Sequence, residues 1–351
     1  MKIKPDKIEK QAEEALRKVF ETVSFIKLKS IKPSVFNTYD TVNFLLTIES
    51  AGEKKKIAVE VKTNGEPRYA RMAIQQLSRI REDNQSTYGI FLAPYISPQS
   101  AGLCAKSSIG TIDLSGNCRI SFDRIYIEKE GKPNKFAEKR DIRSLYSPKA
   151  SRVLRVLLVN HPKSWKMQEL ADEARVSLGQ VANVKKLLAD REWISETGAG
   201  ILLSRAADLL TEWSENYSFE KNTVYEYYSL KQPADIEKDL ASFCDNNNIE
   251  YALTGFSGAN RTAPSVRHQR VMAYVSEISD NLENALQLKK VASGANVSLL
   301  LPYDDGVYYG SSQNNIRLVS PVQLYLDLKN YKGRGEEAAD TILKQVIGKT
   351  W

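Results

Sequence analysis

Between Ser147 and Arg205 the chain carries three helical patterns in succession and then a tight hairpin, and few folds accept that order. Ser147-Pro148 offers a cap and a first-turn proline, after which Val153, Leu154, Leu157 and Leu158 recur at helical spacing. A second helix is predicted over Lys166 to Arg175, with Leu170, Ala171 and Ala174 inward. Ser177-Leu-Gly-Gln180 has capping-box spacing and opens a third, which turns Val181, Val184 and Leu188 to one face. Gly179, Gln180, Asn183 and Lys186 fall on the other side. Trp193-Ile194, a Gly198-Ala-Gly200 turn and Ile201-Leu-Leu203 complete the hairpin.

This is the pattern of a winged helix-turn-helix, whose second motif helix lies in the DNA major groove. Amide and cationic side chains are the types that pair with base edges and phosphates. Gln180, Asn183, Lys186, Lys185 and Ser177 are therefore the candidate contacts to double-stranded DNA. The bland alternative is a bundle that only packs, a structural helix-turn-helix inside a protein-binding module. A glutamate-rich outer face would have favoured it, and this face is not glutamate-rich.

A chain of 351 residues should hold two or three domains; the boundaries read as 1–146, 147–214 and 215–351, with a polar, acidic linker over Glu212 to Thr223. The net charge of +7 is unevenly spread. Residues 1–150 carry 27 Lys and Arg against 18 Asp and Glu, whereas the part after residue 210 has 14 against 18. The basic half is the polyanion-facing half, and the acidic tail is the protein-facing part. Cys104, Cys118, Cys244, His161 and His268 have no ligand spacing, which argues against zinc and against a disulfide framework. No signal core and no apolar run of spanning length is present, so the expectation is a cytoplasmic protein without a membrane partner. Nothing in the sequence excludes an oligomer.

Asp6 to Phe20 reads as an amphipathic helix burying Ile8, Ala12, Leu16 and Val19. Asn43 to Ile48 and Lys56 to Lys62 read as a hairpin around Gly52. Pairing Phe44 with Val61, Leu46 with Val59 and Ile48 with Ile57 puts the large apolar residues on one face and Asn43, Glu60 and Lys62 on the other. Pro67 to Ile80 is a helix bearing Gln75 and Gln76, and Gly89 to Ala93, Gly110 to Leu114 and Arg124 to Ile127 are later strands.

That order, with Glu60-Val-Lys62 on its strand, resembles the PD-(D/E)xK nuclease fold of restriction enzymes and junction resolvases. The resemblance implies a Mg²⁺ site in which an Asp and the acid of Glu-x-Lys hold the metal and the Lys orients the attacking water. A hard cation wants clustered carboxylates, and metal-bound water is a nucleophile near neutral pH. Glu53-Lys-Lys55, Glu130-Gly-Lys132 and Asp327-Leu-Lys329 match the short motif by chance, so strand context alone raises Glu60 and Lys62 above them. The chain departs from the family where Asn43 stands in the place of the metal-binding Asp. Asp40 lies three residues earlier and of the wrong parity, and Glu13 or Glu14 on the first helix is the other source of a carboxylate. The candidate site is Glu60, Lys62, Asn43, Asp40 and Gln76, with Glu60 and Asp40 as metal ligands. If it is active the cofactor is Mg²⁺ and the protein is a DNA endonuclease; otherwise no cofactor is required.

Longer stretches point further. Val59-Glu-Val-Lys-Thr-Asn-Gly-Glu-Pro-Arg68, Leu92-Ala-Pro-Tyr-Ile-Ser-Pro98, Asp113-Leu-Ser-Gly-Asn117, Tyr251-Ala-Leu-Thr-Gly-Phe-Ser257, Val319 to Leu328 and Gly333 to Ala339 resemble the AbiE-type antitoxin and transcriptional-regulator family of type IV toxin–antitoxin systems. The resemblance implies an operator-binding autorepressor whose cognate partner is a nucleotidyltransferase-like toxin.

The last part reads as α/β. A strand covers Val224 to Tyr228, a helix Asp235 to Cys244, and a strand Tyr251 to Thr254 runs into Gly255-Phe-Ser257. Strands at Val271 to Val275 and Ser298 to Leu301 flank a helix over Leu282 to Val291, and helices start at Ser320-Pro321 and Gly335. Gly-x-Ser after a strand resembles the turn of minimal nucleotidyltransferases. Those enzymes need several carboxylates for two-metal chemistry, and the next acid after Ser257 is Glu277. A nucleotidyltransferase-like domain without that chemistry is the expectation.

Overall fold

An amphipathic helix, α1 (Pro5–Glu21), opens the first unit and buries Ile8, Ala12, Leu16 and Phe20 against a sheet. The computed structural model describes residues 5–36, 40–136, 145–263, 269–312, 315–331 and 333–351, with side chains for all of these but 5–7, 34–36, 40 and 41. It divides into two units, one of Met1–Asp141 with Ala189–Glu192, the other of Ile142–Leu188 with Trp193–Trp351. Three sheets and their helices make it an α/β protein of more than one unit. No described helix is long and apolar enough to cross a membrane.

The first sheet runs β1 (Ile26–Phe36), β2 (Asp40–Ser50), β3 (Glu53–Val61), β4 (Thr87–Ala93), β5 (Gly110–Asp113), β6 (Cys118–Phe122) and β7 (Ile125–Lys129), in that spatial order. β1–β2–β3 and β5–β6–β7 are antiparallel, whereas β3–β4–β5 are parallel. The parallel strands are linked through α2 (Pro67–Asp83) and α3 (Pro98–Lys106). α1 shares a core with Leu46, Ile48, Ile57 and Val59. On the other face Ala70, Ala73 and Leu77 of α2 meet Ala58 and Phe91.

β1 has no counterpart in the sequence reading. It contains Pro33, and a proline is tolerated on an edge, where its missing N–H faces no partner; β1 is the sheet's edge. The expected hairpin forms in a register two residues away from the predicted one. Phe44 pairs with Val59, Leu46 with Ile57 and Ile48 with Lys55. A two-residue shift preserves side-chain parity, so the apolar face survived the error.

β2 is also bulged. Pro33 pairs with Phe44 and Ser34 with Val42, which leaves Asn43 without a ladder partner. Phe44 consequently packs on the α1 side and Val42 on the α2 side. The extra residue of a bulge reverses parity in this way.

In the second unit α4 (Pro148–Val159), β8 (Ser164–Trp165), α5 (Met167–Glu173), α6 (Leu178–Asp190), β9 (Ile194–Thr197) and β10 (Gly200–Leu203) follow one another. The strands pair in the order β8-β10-β9; the two-residue β8 is too short to leave a periodic signal. Gly200 (φ +122°) lies where a side chain would run into Trp165 O, at 2.2 Å from an added Cβ. The predicted linker is corrected: α7 (Ala206–Asn216) occupies its first part, and Leu209, Leu210, Trp213 and Tyr217 are buried in the core that α4 enters.

The rest is β11 (Thr223–Tyr228), α8 (Pro233–Asn247), β12 (Tyr251–Leu253), α9 (Gly255–Thr262), β13 (Val271–Val275), α10 (Asp280–Ala285), β14 (Lys289–Lys290), β15 (Val297–Leu301), α11 (Pro321–Lys329) and α12 (Gly335–Gln345). The strands are ordered β12-β13-β15-β11-β14. The helix expected over Leu282 to Val291 is instead α10 and the edge strand β14, separated at Gln287, whose φ of +54° interrupts a helix. One core gathers Leu154, Leu157, Leu170, Val184, Leu188, Trp213, Leu300, Leu324, Tyr325 and Ile342. The predicted helix-turn-helix and the C-terminal α/β part are thus packed together.

Candidate functional site

Ser177 Oγ accepts the Gln180 N–H at 3.2 Å and caps α6. Val181, Val184 and Leu188 are buried, as the spacing predicts. The outward stripe consists of Leu178, Gly179, Ala182, Asn183 and Lys186, all exposed, with Gln180 half-buried beside it. Lys185 is engaged by Glu196 of β9 at 2.8 Å. Of the five candidate contacts, Asn183 and Lys186 are fully presented, Gln180 partly so, Ser177 is a cap and Lys185 is ion-paired within the fold.

In the first unit the carboxyl ends of the parallel strands carry the motifs quoted above, and each has a local physical reason. Asn64 Oδ1 accepts the Glu66 N–H at 3.1 Å, and a Cβ on Gly65 would sit 1.9 Å from Tyr95 O. Ser97 caps α3 by accepting from Ser100 N. Asp113 Oδ1 accepts from the N–H groups of Gly116 and Asn117, and its Oδ2 from Asn117 Nδ2. In open α/β sheets ligands bind beyond these strand ends.

Glu60 lies near that edge and is 5% exposed. Lys62 Nζ donates to Glu60 Oε1 at 2.5 Å and to Gln76 Oε1 of α2 at 3.5 Å. Glu60 Oε2 is buried with no hydrogen-bond partner among the described residues. Burial pushes the Glu60 carboxyl above its ordinary 4.5, and the bond from Lys62 draws it partly back. Glu60, Lys62 and Gln76 therefore come together as the strand reading predicts.

Asn43 does not join them. Its Oδ1 accepts the Val61 N–H at 2.8 Å, replacing a ladder partner, and its Nδ2 donates to Glu9 of α1 at 3.0 Å. The bulge is what turns it away. The parity argument against Asp40 does not carry through that bulge; Asp40 pairs with Phe36 at the start of β2, and its side chain lies outside the described residues. Glu13 holds Arg17 at 2.8 Å, Glu14 is exposed, and their helix packs on the face opposite Glu60. Among the described residues no group of three or more His, Cys, Asp or Glu is placed to hold a metal ion. One carboxylate with an ammonium on one of its oxygens does not fit Mg²⁺, which wants several oxygen ligands in octahedral array.

The raised Glu60 carboxyl has a signed consequence. Between 4.5 and its folded value the native state holds the proton more tightly than the unfolded chain does, so stability contributed by this group falls as pH rises through that window. Glu60→Gln is expected to remove that descending limb and to raise the melting temperature of the first unit at neutral pH. Melting curves from pH 4 to 8 with an unchanged slope would refute the assignment.

Ser257 is fully buried; its Oγ accepts the Met272 N–H at 3.1 Å and fastens α9 to β13. β13 itself, Val-Met-Ala-Tyr-Val, carries no acid. Residues 264–268, including Arg267 and His268, lie outside the described residues.

Sequence reasoning missed a buried polar chain in the second unit. Arg155 of α4, with no exposure, donates to Gln323 Oε1 at 3.0 and 2.6 Å and to Ser151 Oγ at 2.9 Å. Gln323 Nε2 donates to Asp327 Oδ1 at 2.9 Å. That oxygen also accepts from Tyr217 at 2.6 Å and Tyr274 at 3.0 Å, and Asp327 Oδ2 accepts from Thr254 at 2.5 Å. Burial pushes the Asp327 carboxyl up against the pull of these donors. The available signal was Gln323 and Asp327 four apart on an otherwise apolar helix.

Searches of curated proteins and of solved structures returned no match. Residues 202–348, from β10 to the end of the C-terminal α/β part, match the family described as transcriptional regulator, AbiEi antitoxin, type IV toxin–antitoxin system.

Proposed function

We propose that this chain is a sequence-specific DNA-binding transcriptional regulator, the autorepressing antitoxin of a type IV toxin–antitoxin system. The observation that carries it is the α6 stripe with Asn183 and Lys186 presented outward on a capped helix. The family match over residues 202–348 supports the regulator and antitoxin part of the reading. Residues 147–214 act as a winged helix-turn-helix, with α6 in the major groove and β9–β10 as the wing. Residues 1–146 form a restriction-endonuclease-like domain. Residues 215–351 form a nucleotidyltransferase-like domain, without transferase chemistry because the Ser257 turn has no carboxylate on β13. The cognate partner is a nucleotidyltransferase-like toxin, the setting is the cytoplasm, and DNA binding requires no cofactor.

The test is binding of the full chain to DNA upstream of its own gene. An inverted or direct repeat there should bind with Kd of roughly 10⁻⁸–10⁻¹¹ M at physiological salt, weakening steeply as salt rises. Equal affinity for unrelated duplex would end the proposal. The convergence of Glu60, Lys62 and Gln76 favours a second reading as a Mg²⁺-dependent endonuclease. The donor set weighs against it, and plasmid incubated with protein and Mg²⁺ should stay intact. Nicking abolished by Glu60→Ala would establish the second reading instead.

A further inference from the structure

The α2-side face of β1–β3 carries a cluster of exposed lysines. In cross-strand order it reads Lys27–Glu49–Lys54, Ser30–Thr47–Lys56 and Lys32–Leu45–Ala58. Lys27, Lys32, Lys54 and Lys56 are exposed and, among the described residues, form no ion pair. The one carboxylate in these rows, Glu49, is held by Lys29, the bulge residue of β1, at 3.1 Å. α2 packs over β3 and β4 from the third row onward, where Ala58 and Phe91 are buried, and Lys27, Lys32, Lys54 and Lys56 stay exposed beyond it.

Lysines on an edge strand need no function, because they prevent pairing with another sheet. That explanation serves β1. It fails for Lys56, which stands where β3 is paired on both sides, with Thr47 of β2 and Thr87 of β4; Lys54, at the preceding row, pairs with β2 alone. An open sheet face normally mixes both signs of charge; among the described residues this one sets four lysines without an ion pair against the single carboxylate of Glu49. At about 3.3 Å per residue and about 4.8 Å between strands, the rows span roughly 13 Å by about 10 Å. Duplex DNA presents one charge per about 1.7 Å of its axis, so a patch of this size meets several phosphates at once.

We infer that the Lys27, Lys32, Lys54 and Lys56 face is a second duplex-DNA contact, one that grips phosphates and reads no bases. It rests on the reading of the chain as a DNA-binding protein, and adds that the affinity is shared between α6 and a sheet surface. Side chains that touch only phosphates position a protein without conferring specificity.

The experiment compares the full-length protein with a Lys27→Gln, Lys32→Gln, Lys54→Gln, Lys56→Gln variant, using fluorescence anisotropy on an operator duplex and on an unrelated duplex of equal length. Each lost phosphate contact removes about 0.9 from the slope of log K against log salt. The variant should lose roughly 3 to 4 from that slope on both duplexes, and bind both at least tenfold more weakly, with the ratio between them changed less than threefold. Asn183→Ala is the opposite control, lowering the ratio and sparing the slope. Circular dichroism checks the fold; if the quadruple variant fails it, Lys54→Gln with Lys56→Gln should lose roughly 2 from the slope. Unchanged slope and affinity in a folded variant would overturn the inference while leaving base reading by α6 intact. Preference of the face for duplex RNA over DNA would also overturn it. A wild-type chain that binds no duplex would remove the DNA-binding reading itself.

Discussion

Replacing Asn183 by alanine is expected to weaken operator binding by about 1–3 kcal/mol and leave binding to unrelated duplex nearly unchanged. Asn183 is the one fully exposed amide on α6, and a carboxamide presents the donor and acceptor that adenine matches in the major groove. Lys186→Ala should act differently, weakening all sequences alike and lowering the salt slope by about 1. Gln180→Ala should cost less than Asn183→Ala, because Gln180 is half-buried against the helix start. Lys185→Ala should change base discrimination little, since Lys185 already holds Glu196. Competition binding with single-base operator variants reads all four. If the Asn183 variant keeps full discrimination, α6 is not the reading helix.

The second large effect belongs to Gln323→Leu. The glutamine joins a buried guanidinium to a buried carboxylate, and its loss leaves Arg155 and Asp327 each short of a partner. Asp327 keeps Tyr217, Tyr274 and Thr254 and Arg155 keeps Ser151, and a lost hydrogen bond to a charged group costs about 1.5–3 kcal/mol. Urea denaturation followed through Trp213, on which Arg155 lies at 5.0 Å from the ring centroid, should show the midpoint falling accordingly. Lys329→Gln is the surface control; Lys329 pairs with Glu336 in the open, and such pairs contribute about 1 kcal/mol or less. A Gln323→Leu loss below about 1 kcal/mol would mean that the charges find other partners.

Elements with a strong period were legible in the sequence: α1, α2, α4, α6 and the hydrophobic strands β3 and β4. What was lost had physical causes. β1 has no expectation to compare with, and its Pro33 is accommodated because the strand is an edge. The β2 bulge at Asn43 is a matter of hydrogen bonds to Val61 and Glu9, and no periodicity records it. Its effect on the candidate site was large, since it separated Asn43 from Glu60 and reopened the parity of Asp40. The last turns of α7 were read as the start of a linker because Glu212, Glu215 and Asn216 make them polar and acidic, although Trp213 among them is buried with Leu209 and Leu210. Glu60, Lys62 and Gln76 came together because a Glu-x-Lys pair on a strand and a glutamine on the next helix face each other by topology alone.

The core that runs without a break from α4 and α6 through α7 into α11 and α12 bears on how such a protein is dissected. A fragment cut near residue 214 would strip α7 of its packing on α11 and leave Arg155 without Gln323. Its failure to bind an operator would report collapse of the shared interior and nothing about signalling from the C-terminal part. Transplanting the three helices onto another scaffold meets the same obstacle. Under the proposed function, the outer surface of α6 can be exchanged without disturbing that interior, so operator preference would drift by point substitution where the module as a whole cannot be shuffled.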